Sequence, residues 1–66
     1  MFYIRFKKED EIIHCSTLHN NVADYINVIK SADEILIEED LYKLSSISFK
    51  PAGFSEEVDC VDVWVY

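Results

Sequence analysis

Apolar and polar residues alternate strictly from Phe2 to Lys7, with Phe2, Ile4 and Phe6 on one face and Tyr3, Arg5 and Lys7 on the other. A period of two is the mark of a half-buried strand. Lys8, Glu9 and Asp10 interrupt the pattern. Glu11 to Ser16 then resumes it, with Ile13 and Cys15 inward, and an antiparallel hairpin is the simplest connection. From Asn20 to Ala32 the period changes. Val22, Tyr25, Ile26 and Ile29 recur at i, i+3, i+4 and i+7, which stacks them as one apolar stripe on a helix, while Asp24, Asn27 and Lys30 point away. Asn20 or Asn21 can cap this helix with a side-chain oxygen, and Asp24 places negative charge where the helix dipole favours it.

After Ala32, the pair Asp33 and Glu34 ends the helical period, and Ile35, Leu36 and Ile37 form a branched run too short for a helix. Residues 34 to 38 are expected to form a short strand. Glu38, Glu39 and Asp40 break it, and Leu41 to Lys50 reads as a longer strand with Ile47 and Phe49 in phase and three serines mostly outward. The alternative makes residues 38 to 44 a helical turn. Pro51 and Gly53 exclude regular structure across the loop that follows. Val58 to Tyr66 is the most β-prone run in the chain and should pair with the preceding strand as a hairpin. The expected order is β-β-α-β-β-β. One helix would pack on an antiparallel sheet of about five strands, giving a small α+β two-layer fold with a single domain over residues 1–66. Strands run almost to both ends, so the chain reads as a complete small protein.

A chain of 66 residues buries only about 60% of the surface that its unfolded form exposes, so a partner or a second copy would matter to its stability. Half of the residues are hydrophobic, which separates the chain from disordered sequences despite a net charge of −7. That charge, from 13 acidic and six basic residues, makes nucleic acid a poor direct ligand. A protein partner with a basic surface is the natural complement. Arg5, Lys7 and Lys8 are the only basic cluster, and they read as a solvated sheet edge guarded by lysines. No apolar run approaches the roughly 20 residues that a membrane-spanning helix needs. The first ten residues lack the apolar core of a signal peptide, so a cytoplasmic location is expected, where thiols stay reduced.

Candidate chemistry changes this picture little. His14, Cys15, His19 and Cys60 could in principle hold zinc, but adjacent His14 and Cys15 project to opposite faces of a strand and no paired ligand spacing is present. No metal site is expected. The ordinary roles are two buried cysteines acting as small hydrophobes, a surface His14, and His19 in the turn before the helix. With one glycine and no phosphate-cradling loop, neither a cofactor nor a catalytic centre is expected.

The carboxylates are grouped. Glu9, Asp10 and Glu11 form one set, Asp33 and Glu34 a second, Glu38, Glu39 and Asp40 a third, and Glu56, Glu57, Asp59 and Asp62 a fourth. Alternate strand residues share a face at about 6.6 Å, so pairs such as Glu38 with Asp40 and Glu57 with Asp59 could present charge at intervals loosely like a phosphate backbone. The competing reading is that acidic turns serve solubility. Phe49 to Phe54, FKPAGF, resembles a P-A-G-F turn before the last strand of the small RNA polymerase inhibitor of T7-like phages. The resemblance covers these few residues. At the level of class, a short, acidic, motif-free chain is similar to the small inhibitors that phages and mobile elements encode against host enzymes or defence systems.

The last strand is apolar on both sides. Val61, Val63 and Val65 share one face; Val58, Cys60, Trp64 and Tyr66 share the other, interrupted by Asp62. One helix covers only one face of such a sheet, and compact valines suit packing beneath it. Trp64 and Tyr66 are therefore expected on the open side, unless the loop of residues 50 to 57 folds back with Phe54 as its cover. The expected function is a small acidic, non-catalytic protein-binding module, an inhibitor that mimics nucleic acid toward a basic nucleic-acid-handling protein. Its alternative is a structural or oligomeric accessory protein, a homodimer through the open face. Partner-binding residues are then Glu38, Glu39, Asp40, Glu56, Glu57, Asp59, Asp62, Trp64 and Tyr66.

Overall fold

The computed structural model describes residues 1–53 and 57–66. Strands β1 (Phe2–Lys8) and β2 (Glu11–Leu18) form the expected antiparallel hairpin. Helix α1 (Val22–Ser31) follows, then the short strands β3 (Ile35–Ile37) and β4 (Asp40–Tyr42), and finally β5 (Leu44–Lys50) and β6 (Asp59–Val65). The main sheet has four strands in the order β2-β1-β6-β5, and β3 and β4 pair separately as a two-stranded ribbon. The result is a small α+β domain with one helix among the described residues and a mostly antiparallel sheet.

The expectation of an antiparallel sheet fails at one place. β1 and β6 lie side by side and parallel, with Phe2 opposite Asp59 and Lys7 opposite Trp64. Parallel neighbours need a long crossover, and here everything from β2 to β5 supplies it. The most apolar strand thus sits in the middle of the sheet, hydrogen-bonded on both sides. The run from residue 41 to 50 also divides, because Lys43 leaves the ribbon and exchanges backbone hydrogen bonds with Tyr66, at 2.9 and 3.0 Å. The alternative of a helical turn over residues 38 to 44 is replaced by the β3–β4 turn and β4.

Under the helix, Ile4 and Phe6 of β1 meet Val61, Val63 and Val65 of β6, with Ile29 from α1 and Ile37 from β3 completing the buried cluster. The valine row packs where its compact shape suggested. Fully burying one such aliphatic side chain contributes about 1.5–3 kcal/mol, so this small set dominates the stability of the domain. Val22, Tyr25 and Ile26 pack half-buried against the same cluster, which is the stripe read from the helical period.

Two local expectations are corrected. Cys15 is exposed rather than inward. The β1–β2 register runs from Phe6 opposite His14 to Lys7 opposite Ile12, leaving Ile13 as an extra residue in a bulge. One inserted residue reverses the facing of everything beyond it, so Cys15 lands opposite Arg5 on the side away from the helix. At the helix start, Asn21 is the N-cap residue but its side chain makes no capping bond. Its backbone is left-handed, with φ 58° and ψ 31°, whereas the capping oxygen reaches the first-turn amides from an extended backbone.

Candidate functional site

The face of the sheet opposite the helix is built from the polar half of each strand's alternation. Arg5 and Lys7 of β1 point there, Asp62 and Trp64 of β6 lie opposite them, and Ser48 and Lys50 of β5 complete the row. Asp62 is fully buried at the centre of this face. Arg5 Nε donates to its Oδ1 at 2.7 Å, Lys7 Nζ donates to Oδ2 at 3.0 Å, and Lys50 Nζ lies 3.2 Å from Oδ2. Burial pushes the Asp62 carboxyl up, but the hydrogen bonds from Arg5, Lys7 and Lys50, with the Arg5 charge, outweigh it and hold the group below its ordinary value. Lys7 Nζ also stands 5.1 Å from the centre of the half-buried Trp64 ring, within cation–π range.

This arrangement overturns the reading of Arg5 and Lys7 as residues of a solvated edge. β1 is a central strand, and both side chains are largely covered, 14% and 15% exposed. They neutralise a buried carboxylate and cover the sheet with their stems. The pattern itself carried a signal: cations alternate in β1, and Asp62, the carboxylate in the middle of the last strand, falls in the matching phase. The missing piece was the parallel pairing that sets Arg5 directly opposite Asp62.

Of the other singled-out residues, Glu38, Glu39 and Asp40 are exposed at the turn of the β3–β4 ribbon. Glu57 is exposed; Asp59 is half-buried and accepts a hydrogen bond from the Ala52 amide at 2.8 Å. Glu56 and the proposed cover residue Phe54 lie outside the described residues. Tyr66, 66% exposed, lies beyond the end of β6 against Lys43.

The carboxylates of the last strand lie far from those of the β1–β2 turn. Asp59 is level with Phe2 at the start of β1, while the β1–β2 turn lies past Lys8 at its other end, so about 20 Å of strand separates them. Another of the acidic sets, Glu9, Asp10 and Glu11, occupies the β1–β2 turn and its exit. Lys8 Nζ sits 5.5 Å from the Tyr42 ring, which brings the β1–β2 turn beside the ribbon. Both turns are two residues long, and both place glutamate at a positive φ of 57°, at Glu9 and Glu38. Glycine or asparagine takes that conformation without strain, whereas a glutamate costs about 1–2 kcal/mol there.

His14 is exposed and His19 lies before the helix, as their positions in the chain suggest. Among the described residues no three His, Cys, Asp or Glu side chains cluster to hold a metal ion, and no helix is long and apolar enough to cross a membrane. Comparison of the chain with protein-family models, with curated proteins and with solved structures finds no match.

Proposed function

We propose that the chain is a small non-catalytic protein-binding module that turns an acidic end toward the basic surface of a nucleic-acid-handling protein, as inhibitors encoded by phages and mobile elements do. The observation that carries this reading is the pair of strained turns. Glu9-Asp10-Glu11 and Glu38-Glu39-Asp40 occupy two tight turns, and Lys8, next to the first, reaches the Tyr42 ring of the ribbon that carries the second. Each begins with a glutamate held where glycine would fold more easily. Strain retained at a surface turn favours a use for the side chain beyond folding. A net charge of −7 adds long-range attraction toward a basic partner and speeds encounter.

Capture from a lysate of the cells that carry the protein, with wild type and with the variant Glu38→Gln/Glu39→Gln/Asp40→Asn, tests the reading. The expected result is a basic partner that the variant no longer retains, that is released as salt rises, and that duplex DNA displaces. A partner held equally by wild type and variant, and indifferent to DNA, would remove the acidic end from the account.

The second reading, a homodimer through the open face, draws support from Trp64, half-buried beside exposed Tyr66 and Lys43. Light scattering over a concentration series separates the two. Self-association that survives high salt and is lost in Trp64→Ser favours the dimer.

A further inference from the structure

β2 is an edge strand whose only sheet neighbour among the described residues is β1. Past the bulge, its regular run is His14, Cys15, Ser16, Thr17 and Leu18, which contains no lysine, proline or acidic residue. Those are the usual devices that stop a sheet edge from pairing with another chain. The opposite edge strand, β5, carries Lys50 and is flanked by Lys43, which is tied to Tyr66. Of the two edges of the four-stranded sheet, β2 past its bulge offers the unguarded row of backbone donors and acceptors among the described residues.

An apolar groove runs beside that edge. At one end, Phe6, His14, Tyr25, Val28, Ile29 and Leu36 enclose a cavity of about 260 Å³. At the other, Leu18, Asn21, Asp24, Tyr25 and Val28 line a shallower depression. Tyr25 and Val28 are common to both, so the two are halves of one trough between α1 and the sheet edge. Val28 and Leu36 stand 65% and 66% exposed over it. The dimensions agree: ten helical residues span about 15 Å, and the five regular residues of β2 span about 17 Å. Charge marks the two ends, with Asp24 at one and Glu38 at the other, and no lysine or arginine lines either half among the described residues.

We infer that this trough binds an extended segment of a partner protein, which adds to β2 as a further strand, sets alternate apolar side chains against Tyr25, Val28 and Leu36, and carries lysine or arginine at both ends. Backbone pairing supplies register, the trough selects every second side chain, and the end carboxylates select the flanking cations. The inference rests on the reading of the chain as a protein-binding module and takes from the acidic turns only Glu38, so Glu39 and Asp40 are not required.

The test uses the intact protein against a displayed library of randomised octapeptides. Enriched peptides should alternate apolar residues between basic ends, and their amide shift perturbations should fall on His14 to Leu18, Tyr25 and Val28. N-methylation of the peptide amides that face β2 should weaken binding at least tenfold, as should Val28→Glu, a change at an exposed position that leaves the fold intact. Glu39→Gln/Asp40→Asn should leave peptide binding unchanged, which separates the trough from the acidic end. Failure to enrich any such peptide, perturbations confined to other surfaces, or indifference to N-methylation would overturn the inference. Sedimentation showing that the protein dimerises with protection of the β2 amides would overturn it too, assigning the edge to a second copy.

Discussion

Replacing Asp62 by asparagine keeps the size of the side chain and removes its charge from beneath three cations. Asp62 is fully buried, and its two oxygens serve Arg5, Lys7 and Lys50 at 2.7 to 3.2 Å. Asparagine offers one acceptor oxygen, and its amide group would be aimed at cations. Removing one partner of a buried ion pair costs about 3–5 kcal/mol. Lys50 is 52% exposed and can turn to water, and Arg5 and Lys7 retain some access, so the low end, about 3 kcal/mol, is the expected loss. A domain of this size is stable by about 3–10 kcal/mol, so the change removes a third or more of the total. Urea denaturation with a slope of about 1 kcal/mol per M would show the midpoint falling by about 3 M, or a protein already unfolded in water. A fall of less than about 0.5 M would refute the assignment of this network as a main support of the sheet. The same group dictates a response to acid. Its folded pKa lies below the ordinary value of 3.8, so its contribution is fully present above that value. As pH falls below about 4, the unfolded state takes up the proton first, and the contribution is lost until the folded group protonates too. Wild type should therefore lose stability below pH 4 by more than Asp62→Asn does.

Other expectations follow from single residues. Glu38→Gly should raise stability by about 0.5–1 kcal/mol, because relief of the left-handed strain exceeds the added flexibility of the unfolded chain; a loss in urea denaturation would contradict it. Ile4→Ala should cost about 2–5 kcal/mol, enough to unfold much of the population at room temperature, read by circular dichroism. A thiol reagent should label exposed Cys15 at once and buried Cys60 only as the protein unfolds, read by mass spectrometry. Addition of a chelator should leave the melting temperature unchanged.

The elements that could be read from the chain are those whose signal is local. The alternation of Phe2 to Lys7 and the apolar stripe of Val22, Tyr25, Ile26 and Ile29 each specify their own structure and their buried side, and the β-prone run into Tyr66 specifies a strand. The choice of valines for the helix side of β6 followed from shape alone and holds in the fold. What escaped is non-local. Nothing between Phe2 and Lys8 announces a partner more than 50 residues away, so the parallel pairing with β6, and with it the charge network, could not be read. The bulge at Ile13 is a second case, since a single extra residue in an edge strand leaves no mark on an isoleucine pair yet turns Cys15 outward. The acidic turns were visible as carboxylates and as breaks, but the approach of the β1–β2 hairpin to the ribbon depends on the contact between Lys8 and Tyr42.

The charge of this protein is not spread evenly, and that bears on what it can imitate. Three of its six basic residues converge on Asp62, which leaves the open face with more positive than negative groups at its centre. The remaining surface is correspondingly more acidic than the net charge of −7 implies. A partner with a broad basic groove would meet repulsion from the open face and attraction from the turns at residues 9–11 and 38–40. Engagement is therefore expected at the end of the domain rather than along the flat of the sheet. Asp62, which counts as one of the acidic groups in the sequence, works against that pattern in the fold. Its neutralisation by Arg5 and Lys7 is what lets two cations sit in the middle of a sheet whose outer turns are negative.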